Sequence, residues 1–200
     1  MSSNQLVGLP TSMQRLTKLE RLVLSGNKLT ELPAEISDLR ELRWLIMSSN
    51  QLVGLPTSMQ RLTKLERLDL RGNKLTELPP EIGDLRELRL LIMSSNQLVG
   101  LPTSVQRLTK LQELDLDGNK LTELPTEIGD LRELRLLTVS HNPLTVEGIR
   151  RALKLRNRGV LVRGVAGKHS GYCSLINQDM LQTVVSKSMV SFWYVLIHFN

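Results

Sequence analysis

The chain of 200 residues holds one cysteine, Cys173. A lone thiol excludes a disulfide-stapled secreted scaffold and cannot by itself nucleate a zinc site, so a reducing, cytoplasmic setting is expected. Aromatic residues make up 3% of the sequence, and Trp44 is the only one before residue 164. Long apolar runs are also missing. The longest candidate, Met189 to Phe199, is about half of what a bilayer span requires. The N-terminal residues Met1-Ser2-Ser3-Asn4-Gln5 lack a basic stretch followed by an apolar run, so no signal peptide is expected. Apolar residues at 40% and charged ones at 23% exclude wholesale disorder and a collagen-like chain. The net charge of +6 is local: residues 1 to 145 carry 18 basic and 18 acidic side chains, whereas residues 146 to 200 carry 8 against 2.

What the sequence has in abundance is a repeat. Asparagines stand at 4, 27, 50, 73, 96, 119 and 142, each 23 residues after the last. Around them recurs one apolar frame, typified by Leu19, Leu22, Leu24, Asn27, Leu29, Leu32-Pro33, Ile36 and Leu39. Leu22 and Leu24 alternate with polar neighbours, the period of a strand with one buried face. One short parallel strand per copy is therefore predicted. Pro33 fixes φ as the chain enters an extended or short helical return segment, whose Leu29, Leu32, Ile36 and Leu39 fill the same wedge. A single coil cannot bury its leucines, so stability must come from stacking. The asparagine amide, with donors and an acceptor, can satisfy backbone groups of its own and the neighbouring coil, and its loss should cost about 1 to 3 kcal/mol.

This frame resembles the leucine-rich repeat family, whose L-x-x-L-x-L-x-x-N-x-L signature has a period of about 20 to 29 residues. The resemblance covers residues 1 to about 145. It implies an α/β fold: a solenoid, coiled right-handedly and curved, with one short parallel strand per repeat on the concave face and short helical or extended turns on the convex face. The Leu-Pro-x-x-Ile form is similar to the intracellular 23-residue class of Ras-group-related scaffold repeat proteins. Met1 aligns with Met47 and Met93, so the array is expected to start inside a repeat. Past Asn142 the frame departs. Ile149, Leu153 and Leu155 predict an amphipathic helix over 146–156, and Val160-Leu161-Val162, 23 residues beyond Leu137-Thr138-Val139, predicts a last parallel strand. Together 146–163 form an expected C-terminal cap. Residues 164–200 lack the frame and are expected to be a poorly ordered tail, with membrane contact through the tail as the lesser alternative.

The copies alternate between two kinds, giving a full unit of 46 residues in which 1–22 is identical to 47–68. Predicted outer positions such as Thr11, Gln14, Thr17 and Lys18 recur unchanged 46 residues on. Strand positions beside the buried leucines do not. In one kind they run Arg21, Val23, Ser25, then Arg67, Asp69, Arg71, then Glu113, Asp115, Asp117; in the other Trp44, Ile46, Ser48, then Leu90, Ile92, Ser94, then Leu136, Thr138, Ser140. These side chains should face solvent on the concave sheet. Divergence concentrated there marks Arg21, Trp44, Ile46, Arg67, Asp69, Arg71, Leu90, Ile92, Glu113, Asp115, Asp117 and Leu136 as the candidate partner-binding set. An exposed Trp44 among aliphatics and oriented charges has the make-up of a protein-binding hot spot.

Catalytic chemistry is not expected. His141, His169 and His198 have no partner at a meaningful spacing, and His141 falls in a turn. Asp115 and Asp117 with Glu113 could draw a cation weakly, but charge pairing is the better reading, so neither metal nor cofactor is assigned. Gly164-Val165-Ala166-Gly167-Lys168 approaches a phosphate loop, yet Val162 and His169 stand where that motif needs Gly and Ser or Thr. The cluster Arg150, Arg151, Lys154, Arg156, Arg158 and Arg163 lacks the interleaved aromatics that stack on bases, so no nucleic-acid partner is expected; cations late in a capping helix suit its dipole. The expected function is non-enzymatic binding of a protein ligand in intracellular signalling or innate recognition. The alternative is a sensor fragment of a larger leucine-rich repeat kinase or GTPase.

Overall fold

The computed structural model describes residues 5–165. The expectations for the tail, Gly164 and Val165 apart, lie outside the described residues, as do His169 and His198. Among the described residues seven three-residue strands form one parallel sheet in chain order: β1 (Arg21–Val23), β2 (Trp44–Ile46), β3 (Arg67–Asp69), β4 (Leu90–Ile92), β5 (Glu113–Asp115), β6 (Leu136–Thr138) and β7 (Leu161–Arg163). From β1 to β6 each residue pairs with the one 23 positions on, as in Arg21 with Trp44 and Trp44 with Arg67.

Each return segment is a five-residue 3-10 turn, from Thr11–Arg15 to Thr126–Asp130. A proline precedes every turn in extended backbone, and its carbonyl accepts the first bond of the turn, as Pro33 accepts from the Ile36 amide at 3.0 Å. The ring thus sets φ where a missing N–H costs nothing. Ile36, Leu39, Leu42 and Leu45 meet in the interior fully buried, and the same set recurs through the stack as one continuous core. Leu22 and Leu24 were expected inside this core but are only partly buried, because β1 is the edge strand among the described residues and has a neighbour on one side alone.

The asparagines form an internal ladder. Asn73 Oδ1 accepts the Leu52 amide at 3.0 Å, while its Nδ2 donates to the Met47 and Leu70 carbonyls at 3.0 and 2.8 Å. Asn50 and Asn96 repeat the pattern one coil away on either side. The residue before each asparagine of the series from Asn27 to Asn142 lies in the left-handed region: Gly26, Gly72 and Gly118 in one kind of coil, Ser49, Ser95 and His141 in the other. Glycine enters that region freely, whereas a side chain pays about 1 kcal/mol or more.

Helix α1 (Val146–Arg156) replaces the last 3-10 turn. Thr145 caps it by accepting the Gly148 amide at 3.2 Å, and Gly148, Ala152 and Leu155 are buried. Gly148 packs so closely that a Cβ there would stand 2.7 Å from the Thr122 carbonyl. The 11-residue helix consumes more chain than a five-residue turn, so β7 is displaced from its expected register. Val162 rather than Val160 pairs with Leu137, 25 residues on instead of 23. The basic cluster of this region is tied to the array: Arg151 holds Glu123 at 3.1 Å and the Leu124 carbonyl, and Arg158 donates to the Gly129 carbonyl. No helix among the described residues is long and apolar enough to cross a membrane.

Candidate functional site on the open sheet face

Strand geometry sends the middle residue of each strand inward and its two neighbours to the opposite face. Leu45, Leu68, Leu91, Leu114 and Leu137 accordingly have at most 1% exposure. The register then lines the flanking residues into two rows across the sheet: Arg21, Trp44, Arg67, Leu90, Glu113, Leu136, and beside it Val23, Ile46, Asp69, Ile92, Asp115, Thr138. Arg71 and Asp117 follow two residues beyond Asp69 and Asp115. All twelve residues singled out from the sequence therefore share one face.

Their environments differ from the expected exposed array in three places. Asp69 was expected to face solvent and is 1% exposed. Arg71 folds back on it at 2.9 Å and Arg67 approaches at 3.7 Å, while Ile46 and Ile92 flank it across the sheet. The Arg71 amide also donates to its Oδ1 at 3.2 Å. The charges of this strand pair along it, and Asp69 fixes the two arginines instead of meeting a ligand itself. Trp44 was expected to be freely exposed and is half-buried, with the Arg21 guanidinium 3.8 Å above its ring. This cation–π contact occupies one face of the indole. His141, expected to lack a partner, places Nδ1 2.8 Å from Asp117 Oδ1. Its turn sits one strand past Asp117, a proximity visible only once coils are aligned.

The charges are unevenly settled. Asp69 holds ion pairs and Asp117 a 2.8 Å contact with His141 Nδ1, whereas Glu113 and Asp115 have no cationic partner among the described residues; Asp115 Oδ1 accepts only the Asp117 amide, at 3.1 Å. Over β3 to β7 these side chains enclose a shallow groove of about 350 Å³. Leu90, Ile92 and Leu136 floor it, Glu113 and Asp115 stand within it, and Arg67 and Arg163 bound its ends. Arg163 was grouped with the helix cations by sequence; the two-residue register shift of β7 sets it opposite Thr138. The buried Arg67 Nε has no hydrogen-bond partner. Among the described residues no group of three or more His, Cys, Asp or Glu side chains is placed to hold a metal.

A stacked coil of this kind, with a strand, an asparagine turn and a leucine wedge in every 23 residues, defines a solenoid. The leucine rich repeat family model matches residues 1–52, 55–98 and 100–144, and the chain belongs to that family. None of the curated proteins is a match. Among solved structures, a leucine-rich repeat protein of Leptospira interrogans is 31% identical with a TM-score of 0.53, covering 81% of this chain and 53% of its own. The ectodomain of the Arabidopsis thaliana membrane receptor kinase GASSHO1/SCHENGEN3, in complex with CASPARIAN STRIP INTEGRITY FACTOR 2, is 35% identical with a TM-score of 0.63, covering 68% of this chain and 17% of its own. An internalin of Listeria monocytogenes is 25% identical with a TM-score of 0.68, covering 78% and 45%. The chain therefore spans between 17% and 53% of the length of these proteins.

Proposed function

We propose that this chain is a non-enzymatic recognition module that takes a protein or peptide ligand on its open sheet face. The observation that carries this reading is the groove over β3 to β7, where an aliphatic floor adjoins two carboxylates that have no cationic partner among the described residues. Apolar area supplies the drive for association, and oriented charge supplies selectivity. Two similar solved structures, the GASSHO1/SCHENGEN3 ectodomain and a plant peptide hormone receptor, are complexes with CASPARIAN STRIP INTEGRITY FACTOR 2 and RGF2, which favours a peptide or protein as the ligand here. The Leu-Pro-x-x-Ile turns favour the intracellular, Ras-group-related class, and with the single thiol Cys173 they support a role in cytoplasmic signalling or innate recognition.

The test is Trp44→Ala combined with Ile92→Arg, leaving Arg67 in place because it covers Asp69. Circular dichroism should stay unchanged while proteins retained from a native lysate by the immobilised wild-type chain are lost. Retention of the same proteins by the double variant would remove the sheet face from consideration. The second reading, a sensor portion of a larger kinase or GTPase, is favoured by the similarity to the ectodomain of a membrane receptor kinase. A transcript encoding an intact phosphate loop or kinase segment in the same frame would select it.

A further inference from the structure

Because the two kinds of coil alternate, the sheet face repeats on every second strand. Trp44 and Ile46 on β2, Leu90 and Ile92 on β4, and Leu136 on β6 form apolar rows with charged strands between them. At about 4.7 to 4.9 Å per strand, an apolar row recurs every ~9.6 Å. A ligand lying across the strands stays in step only if its own side chains repeat at that distance. Same-face side chains of an extended strand recur every ~6.7 Å, and the seven-residue repeat of an α-helix every ~10.5 Å. Polyproline II, with three residues per turn and ~3.1 Å of rise, recurs every ~9.3 Å. Over two intervals its mismatch is about 0.6 Å, against about 1.8 Å for the helix.

The charges between the apolar rows set an order. From β2 to β4 the ligand passes Arg67 and Arg71, two cations sharing the single carboxylate of Asp69. From β4 to β6 it passes Glu113 and Asp115, which have no cationic partner among the described residues. A polyproline II chain makes no internal hydrogen bonds, so its carbonyls need donors. Arg163, at one end of the groove, is a donor at a suitable margin, and Arg67 bounds the other end.

We propose that the sheet face takes a polyproline II segment of a partner protein. Its aliphatic residues fall at every third position, with an acidic residue in the interval over β3 and a basic one in the interval over β5. This rests on the reading of the face as a peptide or protein site, and the test separates the two. The probe is a phage-displayed library of random dodecapeptides selected on the folded chain, followed by affinity measurement of the enriched sequences. Aliphatic residues at a spacing of three, proline between them, and an acid-then-base order along one direction are expected. Glu113→Lys with Asp115→Lys should weaken those peptides by about tenfold or more, as attractive contacts become repulsive, while circular dichroism is unchanged. Peptides that are lost on Ile92→Arg but show a spacing of two, no spacing, or indifference to the charge reversal overturn this inference and leave the site standing. Peptides indifferent to every sheet-face substitution, or no enrichment at all, overturn it as well, and the first of these outcomes also sinks the site.

Discussion

Asn73→Ala measures what the asparagine ladder contributes, and the structure separates the loss into parts. The Met47 carbonyl accepts from both Asn73 and Asn50, each at 3.0 Å, and the Leu70 carbonyl from Asn73 at 2.8 Å and Asn96 at 3.0 Å. Alanine leaves each of these carbonyls with one donor. The Leu52 amide, held at 3.0 Å by Asn73 Oδ1, is left with none. A buried orphaned N–H costs about 1 to 3 kcal/mol, and the weakened carbonyls put the expected loss in the upper half of that range. Asn73→Asp keeps the acceptor for Leu52 but sets a second carboxylate oxygen against two carbonyls in a site where the residue is 8% exposed. An unpaired buried charge costs about 3 to 5 kcal/mol, so the near-isosteric aspartate should be worse than alanine. Urea unfolding followed by circular dichroism gives both values from midpoints at constant slope, with coincidence of two probes as the check on cooperativity, which stacked coils do not guarantee. An alanine cost below about 0.5 kcal/mol, or aspartate tolerated better than alanine, would refute the assignment of the ladder's strength to orphaned amides.

Three further outcomes follow from single contacts. Asp69→Ala should cost about 1 to 2 kcal/mol through the lost bond to the Arg71 amide, while Asp117→Ala at a half-exposed site should stay within about 0.5 kcal/mol; thermal melts compare them. Gly83→Ala should destabilise by about 1 to 3 kcal/mol, because its Cβ would collide with the Ser104 carbonyl. At the equivalent Gly129 a Cβ meets nothing within 4 Å, so alanine there should be neutral or stabilising by up to about 1 kcal/mol. The Lys110 ammonium donates to both Glu87 oxygens at 2.7 Å and holds that carboxyl below the ordinary glutamate range. A lowered folded value means its contribution is complete above the unfolded pKa and is lost as pH falls through the folded one. Carboxyl-resolved NMR titration should therefore place Glu87 below the ordinary glutamate range, and Lys110→Met should return it to that range.

The period was legible because leucine, asparagine and proline each answer a geometric demand that recurs every coil. Strand positions, the turn after each Leu-Pro and the shared face of the twelve candidate residues follow from that period alone. The register of β7 did not follow, since an α-helix and a 3-10 turn can bridge the same gap with different numbers of residues. Nor did the burial of Asp69, which depends on two long arginine side chains turning back along their own strand, a rotamer choice that no spacing encodes. The contact of His141 with Asp117 had a readable precursor: His141 stands where Gly118 stands one coil earlier, at a left-handed position that points its side chain back across the preceding coil.

The sameness of the back and the variety of the sheet face have separate physical causes. On the back, Arg43 with Glu66, Lys64 with Glu41, and Lys110 with Glu87 link neighbouring coils at 2.6 to 2.7 Å, each across 23 residues. A change in one coil therefore breaks a pair belonging to the next. Exposed pairs contribute at most about 1 kcal/mol each, and exposed residues outside the pairs, Gln60 and Thr63 among them, recur unaltered too. Ion pairing explains only part of the constancy, so the variation on the face still calls for a cause of its own. There the substitutions come as sets. Asp69 is accompanied by Arg67 and Arg71, which neutralise it, and Asp117 by His141, which meets it. A face balanced in this way throughout would say nothing about a ligand. Glu113 and Asp115 break the pattern, two carboxylates above an aliphatic floor with no cation supplied by the described fold. An outside cation is the missing member of that set, which makes these two positions the first at which charge reversal should be tried.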